Sequence, residues 1–401
     1  MKEKYARVIL ESCLKIEKGQ PLFISYNIER KDFVDIVTNI AHELGVEDIY
    51  YDESDPYKKH DLLKTLDIEE LKPYWNKERW NEYGKKNAAF LMLASENPGL
   101  MKDIDSKKIS EITKYAYSTR KVFDDLRDKS MLSWCIAAVP TKDWANELGM
   151  TTDELWNKIF EVCNIDKEDP VKIWDEKNEL LRVRAEKLTN YNFKTLIYSS
   201  SNGTNFSIDL PKDCLWASGY EQLANGKRVL VNFPTEEVFT SPDCKSAEGI
   251  VYSSKPLSYQ DNIIDNFNIT FKDGKVIDYH AEVGESILGE MINICENSNY
   301  LGEIALVPYD SPISNCNLVF LETLFDENAA CHIALGDSFP ECVLNGPNID
   351  KDVLYNEYNL NKCDSHVDFM IGTKDLDITG ITKDGKKVLI FKNGNFTKEF
   401  N

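Results

Sequence analysis

The sequence lacks the features of a membrane-bound or nucleic-acid-binding protein. No apolar run approaches the roughly 20 residues needed to cross a bilayer, and Met1 to Lys18 are too charged for a secretory signal. Positive charge is in deficit, with 47 Lys and Arg against 68 Asp and Glu, giving a net charge of −21. Because phosphate groups are bound by clustered Lys and Arg, this balance argues against nucleic acid and anionic membranes as partners.

Two kinds of short motif are also missing. The ten Cys are scattered, without the close spacing of a zinc ribbon or a redox pair. This distribution predicts free thiols in a reducing compartment, and hence a cytoplasmic protein. Neither a Gly-x-Gly-x-x-Gly sequence after the first strand nor a Walker sequence is present, which counts against a nucleotide-binding regulator.

What remains is a soluble globular composition, long enough for two domains. The 401 residues are 42% hydrophobic and 29% charged. Residues 1–188 alternate helical patterns, such as Ile68–Lys86, with short apolar strands, which predicts an α/β domain with a parallel sheet covered by helices. Residues 189–401 change to a period of two with Asn-Gly and Asp-Gly turns. This pattern predicts an α+β domain rich in antiparallel strands.

The strongest candidate site lies in the predicted strand that contains His366 and Asp368. These side chains are two residues apart, so on a strand they share a face, opposite Val367 and Phe369. Burying an imidazole beside a carboxylate is costly unless both are satisfied. A divalent metal would satisfy both, and a hydrogen-bonded His-Asp pair in the core would also do so.

Further acids and a second His occur upstream in the same domain. Glu303 interrupts an apolar strand, and Glu327 stands shortly before His332 in small apolar surroundings. Glu236 and Glu237 form an acidic pair between two apolar strands. A lone acid in such a strand is usually an edge position, but several acids with two His favour a metal site.

Three ordered motifs carry a resemblance to a known family. They are Pro234–Pro242, Asp326–Gly336 and His366–Gly372. Together they make the chain, over essentially its whole length, similar to the aminopeptidase T / aminopeptidase S family of metalloaminopeptidases. The resemblance implies a peptidase with two divalent metal ions (Zn, Co, Mn or Mg) that removes N-terminal residues from peptides with a free N-terminus. It also implies a homodimer whose active sites face an enclosed cavity.

The family's metal ligands correspond to six positions of this sequence, which the resemblance therefore implies as ligands: Glu237, Glu303, Glu327, His332, His366 and Asp368. Six ligands exceed the four of one tetrahedral zinc, and four carboxylates balance two divalent cations. As the general base we predict Glu236, because it adjoins a ligand; this requires a kink, since neighbours on a regular strand face opposite ways. The other interpretation of Glu236 is a surface acid.

The chain departs from the family pattern at two positions. Relatives carry a Tyr seven residues after the first ligand His, where this chain has Phe339. Relatives also tend to have Asn-x-Ser where this chain has Asn361, Lys362 and Cys363. Phe339 motivates the alternative function, a non-catalytic or weakly active protein that binds peptides or metal on the same fold.

Overall fold

The computed structural model describes residues 1–95, 97–259 and 262–401. These residues form two compact units. The first contains Met1–Glu176 and Tyr220–Pro234, and the second contains Lys177–Gly219 and Thr235–Asn401. None of the helices in the described ranges combines the length and apolarity needed to cross a membrane.

The first unit is built on a five-stranded sheet in which all described pairings are parallel. Its strands, from one edge to the other, are Asn232–Phe233, Trp134–Ala138, Ala89–Ala94, Leu22–Asn27 and Ile49–Ser54. A short antiparallel pair, Tyr220–Gln222 with Arg228–Leu230, belongs to the same unit. The parallel sheet predicted for the N-terminal domain is confirmed.

Helices follow the strands of this sheet along the chain, as expected of a doubly wound α/β unit. The α-helices are Lys2–Arg7, Lys31–Glu43, Pro56–Thr65, Ile68–Trp75, Glu78–Lys85, Ser106–Thr119, Lys121–Asp128, Lys142–Glu147, Thr152–Val162 and Pro170–Tyr191, with a π-helix at Val8–Cys13 and a 3-10 turn at Ile28–Arg30. The prediction of one helix over Ile68–Lys86 is wrong. The backbone turns extended at Asn76, and the amide of Lys77 donates to Oγ1 of Thr119 instead.

The second unit contains two antiparallel sheets. The larger one has the strand order Leu257–Tyr259, Asn262–Lys272, Glu248–Tyr252, Asn205–Asp209, Phe193–Ser199, Asp377–Thr382, Lys387–Lys392 and Asn395–Phe396, with Lys275–Val283 also paired to Asn262–Lys272. The smaller one, here called the site sheet, has the order His366–Met370, His332–Gly336, Leu301–Leu306, Val238–Thr240 and Ala217–Ser218. The predicted α+β class of this part of the chain is confirmed.

Short helices connect the strands of the second unit. The α-helices are Glu285–Ile292, Pro312–Asn315, Thr323–Asp326 and Lys351–Tyr358, and the 3-10 turns are Glu327–Ala329, Pro340–Cys342 and Gly346–Asn348. One large apolar core joins both sheets and includes Phe369, Ile333 and Ile304. These three residues alternate with the polar positions of the site sheet, so the core fixes which face of that sheet the polar side chains occupy.

The compact units differ from the predicted division after residue 188. The Pro170–Tyr191 helix contributes to both units, and Tyr220–Pro234 returns to the first unit. The reason is strand pairing: Asn232–Phe233 adds an edge strand beside Trp134–Ala138. The division into domains 1–188 and 189–401 therefore stays a prediction.

Candidate metal centre

Three neighbouring strands of the site sheet bring together residues that are far apart in sequence. Their register places Glu303 opposite Ala334, and Ala334 opposite Asp368. Side chains at directly opposed positions of antiparallel strands share a face. His332 and His366 are each two residues from one of these positions, so they lie on that same face. The small Ala334 leaves space between the two carboxylates.

Both imidazoles are oriented by backbone carbonyls. Nδ1 of His332 lies 3.2 Å from the carbonyl oxygen of Ala330, and Nδ1 of His366 lies 2.9 Å from that of Asp337. Because a carbonyl can only accept, each Nδ1 is protonated and donates. Nε2 of both rings is thereby left for the carboxylates, which is the arrangement that protein metal ligands usually show.

The Nε2 atoms face different carboxylates. Nε2 of His332 is 3.2 Å from Oε2 of Glu237. Nε2 of His366 is 3.0 Å from Oε2 of Glu303 and 3.4 Å from Oδ1 of Asp368. Two groups of possible ligands result, Glu237–Glu303–His332 and Glu303–His366–Asp368, and in each group the ligand atoms lie within 4.8 Å of one another. Glu303 belongs to both groups.

Glu327 lies beside these groups. Among the described residues it belongs to neither of them. It opens the 3-10 turn Glu327–Ala329, and its charge acts on the same neighbours, Glu237 and Asp368. The buried amide of Asn328 fixes this corner. Its Oδ1 accepts from the backbone amide of Glu236 at 2.7 Å, and its Nδ2 lies 3.4 Å from Oε1 of Glu327.

Negative charge accumulates among these buried carboxylates. Burial raises the pKa of Glu303 to about 7; the hydrogen bond from His366 opposes this shift, and the charges of Asp368 and Glu237 add to it. Burial and then the charges of Glu237 and Asp368 raise the pKa of Glu327 well above its usual range. The cluster therefore holds more carboxylate charge than its own cationic groups offset.

The pKa values of the two His are raised as well. Burial by itself would lower the pKa of His332, but the hydrogen bond and charge of Glu237 outweigh it and raise that pKa to about 10. Burial likewise opposes protonation of His366, and Asp368 and Glu303 raise its pKa well above the ordinary value. The carboxylates that face Nε2 of each ring thus favour a positive charge beside them.

The residues present fit a divalent cation. Carboxylate oxygen together with imidazole nitrogen is a donor set for Zn²⁺, Co²⁺ or Mn²⁺. Oδ1 of Asp368 is buried, and its contact with Nε2 of His366, at 3.4 Å, is longer than an ordinary hydrogen bond. An anionic oxygen in that position is costly unless a cation is near.

Glu236 and Glu237 are adjacent but have different partners. Residues 234–237 lie between the strands Asn232–Phe233 and Val238–Thr240 and belong to neither, so the kink that Glu236 requires is present. Glu237 contacts His332, whereas Oε1 of Glu236 accepts a hydrogen bond from Nζ of Lys177. Glu236 is 6% exposed, which excludes the interpretation as a surface acid.

Phe339 lies beside the candidate ligands. Its ring centroid is 5.0 Å from that of His366 and 5.3 Å from that of Phe239. The backbone amide of Phe339 donates to Oγ of Ser241 at 2.8 Å, which fixes the start of the following turn. The ring of Phe339 therefore packs against the imidazole of one candidate ligand.

Two residues at the site went unrecognised in the sequence. Lys177 lies in a helix whose Glu-Lys-Arg pattern predicts a solvated or domain-bridging role, so nothing distinguishes it from its charged neighbours. Asn328 lies inside a motif that carries the resemblance, directly after Glu327. Its place in this motif beside a candidate ligand is the signal that could have drawn attention to it, whereas its burial is evident only in the structure.

The chain is similar over nearly its full length to known metalloproteases and aminopeptidases. The model of the family described as thermophilic metalloprotease (M29) matches residues 1–396. Aminopeptidase AmpS of Bacillus subtilis (strain 168) is 37% identical over 401 residues, covering 98% of this chain and 97% of that protein. Aminopeptidase 2 of Geobacillus stearothermophilus is 37% identical over 406 residues, covering 99% and 98%.

A solved structure gives the same result for the fold. Wild-type AmpT from Thermus thermophilus superposes with a TM-score of 0.89 at 28% identity, covering 99% of this chain and 98% of that one. The match of the family model over nearly the full length, with two relatives above one-third identity, is sufficient for assignment. The chain belongs to the thermophilic metalloprotease (M29) family.

Proposed function

We propose that this protein is an aminopeptidase that uses two divalent cations to hydrolyse the N-terminal peptide bond of peptides. The observation that carries the proposal is the pair of ligand groups that share Glu303. One group supplies Glu237 and His332, and the other supplies His366 and Asp368. The relatives named aminopeptidase support the reaction class.

In this proposal the six candidate ligands have distinct places. Glu303, with His332 and Glu237 on one side and His366 and Asp368 on the other, would hold the two cations. Glu327 completes the set from the neighbouring turn. When bound, such a pair of cations lowers the pKa of a water and polarises the scissile carbonyl. Zn, Co, Mn and Mg remain the candidate ions, since oxygen and imidazole ligands accept each of them.

Glu236 is the proposed general base. Lys177 occupies its Oε1, so Oε2 is the oxygen that takes a proton from the attacking water and passes it to the leaving amine. The hydrogen bond from the backbone amide of Glu236 to Asn328 fixes the segment that carries this carboxylate. Lys177 and Asn328 thus act by positioning, without contacting substrate.

The assembly is implied by the resemblance, and the cellular location by the distribution of Cys. A homodimer that encloses the active sites would restrict substrates to short or unfolded peptides with a free N-terminus. A cytoplasmic location fits the scattered free Cys among the described residues. Both statements are proposals, the first of them by analogy.

Turnover of a peptide library tests the proposed function. Purified protein loaded with Co²⁺, Mn²⁺ or Zn²⁺ should shorten peptides one residue at a time from the N-terminus, and N-acetylated peptides should resist. The matched control is Glu236→Gln, which keeps the size of the side chain and should lose turnover while still binding Mn²⁺. Cation binding without turnover by the unmodified chain would support the non-catalytic alternative instead.

A further inference from the structure

Two half-buried thiols face each other on loops of the second unit. Sγ of Cys295 lies 3.2 Å from Sγ of Cys363, although the residues are far apart in sequence. Cys295 follows the helix Glu285–Ile292, and Cys363 precedes the strand that begins at His366. Neither thiol belongs to the two groups of possible ligands found among the described residues.

Hydrogen bonds fix the two loops against each other around these thiols. Nδ2 of Asn297 donates to the carbonyl oxygen of Lys362 at 3.1 Å, and Nδ2 of Asn361 donates to that of Asn297 at 2.9 Å. These bonds keep the two loops, and with them the two thiols, next to each other. The approach of the two sulfur atoms is a property of this packing rather than of two freely rotating side chains.

We propose that Cys295 and Cys363 form a redox modification site, a reversible disulfide that weakens cation binding at the nearby metal centre. The sulfur atoms must move together by about 1 Å to reach the roughly 2.05 Å of a disulfide. Both residues lie outside helices and strands, so the backbone can accommodate this shift. The predicted compartment keeps the pair reduced until an oxidant reaches it.

The oxidant is a hydroperoxide, and the reaction balances in two steps. One thiol attacks the peroxide O–O bond and becomes a sulfenic acid, which releases water or an alcohol. The second sulfur then displaces the oxygen of the sulfenic acid, forming the S–S bond and releasing water. The two sulfurs lose two electrons in total, and the peroxide gains them. A dithiol reductant reverses the reaction by thiol–disulfide exchange.

Asp337 connects the thiol pair to the metal centre. Its Oδ1 accepts from the backbone amide of Cys363 at 3.1 Å, and its carbonyl oxygen accepts from Nδ1 of His366 at 2.9 Å. Drawing Cys363 toward Cys295 disturbs the first of these bonds and, through Asp337, the orientation of the imidazole. Losing such an orienting partner typically weakens metal binding about 10- to 100-fold.

Peptide mapping tests the disulfide without reference to any cation. Metal-free protein is treated with hydrogen peroxide, freed of oxidant, digested and analysed by mass spectrometry. We expect a cross-linked peptide pair containing Cys295 and Cys363 that disappears on reduction. Cys363→Ser should abolish the cross-link. Cys316→Ser, which alters another half-buried thiol of the same unit, should retain it. Absence of the cross-link in the unmodified chain would overturn the proposal.

Binding of Mn²⁺ tests the effect on the metal centre. This part depends on the proposed function, so it is measured separately, on protein already shown to be cross-linked. Mn²⁺ is the probe because it prefers carboxylate to thiolate ligands. We expect oxidation to raise its dissociation constant about 10-fold or more, with recovery on reduction and no response in Cys363→Ser. Equal affinity in cross-linked and reduced protein would refute the regulatory effect. Lack of Mn²⁺ binding even when reduced would instead contradict the metal centre.

Discussion

Phe339 stands at the position where the resemblance to the aminopeptidase family implies a Tyr. Its ring lies against that of His366, with 5.0 Å between the ring centroids. Phe339→Tyr should therefore raise kcat with a smaller change in KM, because the added donor acts on the oxyanion of the transition state. The gain should stay below the ~10²–10³ that a full oxyanion donor contributes. Steady-state kinetics on amino-acid p-nitroanilides measure it.

The control for this variant is Phe239→Tyr, which adds the same hydroxyl to the neighbouring ring. That ring packs edge-on against Phe339, so its variant should leave kcat unchanged. An unchanged or lower kcat in a folded, Mn²⁺-binding Phe339→Tyr protein would mean that the position serves only packing.

The ion pair between Lys177 and Glu236 should contribute to both stability and turnover. The side chains are 16% and 8% exposed, so removing the ammonium group leaves a carboxylate largely buried and uncompensated. Breaking such a pair typically costs about 3–5 kcal/mol. Lys177→Met should lower the free energy of unfolding by an amount of this order and reduce kcat more than it alters KM. Denaturant unfolding of metal-free protein and steady-state kinetics give the two quantities.

A double-mutant cycle separates the two effects. Adding Glu236→Gln to Lys177→Met removes the uncompensated charge, so most of the lost stability should return while turnover stays absent. Full additivity of the two stability changes would show that the pair does not interact. A wild-type kcat in Lys177→Met would contradict the positioning role of the lysine.

At the residue scale, the sequence identifies candidate metal ligands better than it identifies the residues that position the site. His366, Asp368, Glu303 and His332 stand out because ionisable groups are costly in apolar strands. Lys177 does not stand out, because it approaches Glu236 only after a long helix has been placed beside the site sheet. Partners of this kind depend on tertiary packing, which spacing along the chain does not determine.

At the element scale, the metal centre depends on a small residue in the middle strand of three. Ala334 is fully buried and lies opposite both Glu303 and Asp368. Ala334→Leu should fill the space between these carboxylates and cost about 1–3 kcal/mol by overpacking. We expect it to abolish cation binding as measured by Mn²⁺ titration.

The neighbouring residue provides a matched control on the opposite face of the same strand. Ile333→Val removes one methylene from the core and should cost about 0.5–1.5 kcal/mol. It should leave Mn²⁺ affinity unchanged, because Ile333 faces away from the carboxylates. If both variants bound Mn²⁺ normally, the register of these strands could not be what assembles the site.

Local hydrophobic patterns predict the ends of some helices and strands but not of others. The period of two predicts the Phe193–Ser199 strand, because half-buried strands have a local signature. The same reasoning misses the break between Ile68–Trp75 and Glu78–Lys85. There, the apolar periodicity continues across the break between the two helices. The break is supported by a hydrogen bond from the amide of Lys77 to Oγ1 of Thr119, far along the chain.

At the scale of the whole molecule, each compact unit is made of two separate stretches of the chain. The change of pattern near residue 188 gives the correct order of an α/β part followed by an α+β part. The return of Tyr220–Pro234 to the first unit has no signal in the sequence, because a two-residue edge strand carries almost no periodicity. This segment ends at Pro234, and the chain re-enters the second unit at Thr235, just before Glu236 and Glu237.

Cation stoichiometry is a property of the whole chain and tests how the two ligand groups are joined. Because Glu303 belongs to both groups, the unmodified protein should bind two Mn²⁺ ions, and His332→Ala and His366→Ala should each retain one. Glu303→Ala should lose both. Chelation should lower the unfolding midpoint, since a bound ligand stabilises the folded state by about 2.7 kcal/mol per site at 100 times its dissociation constant. Elemental analysis and calorimetry measure these values. One ion in the unmodified protein would contradict a site for two cations. Two ions in Glu303→Ala would exclude a shared carboxylate, because each cation would then have a complete set of ligands without it.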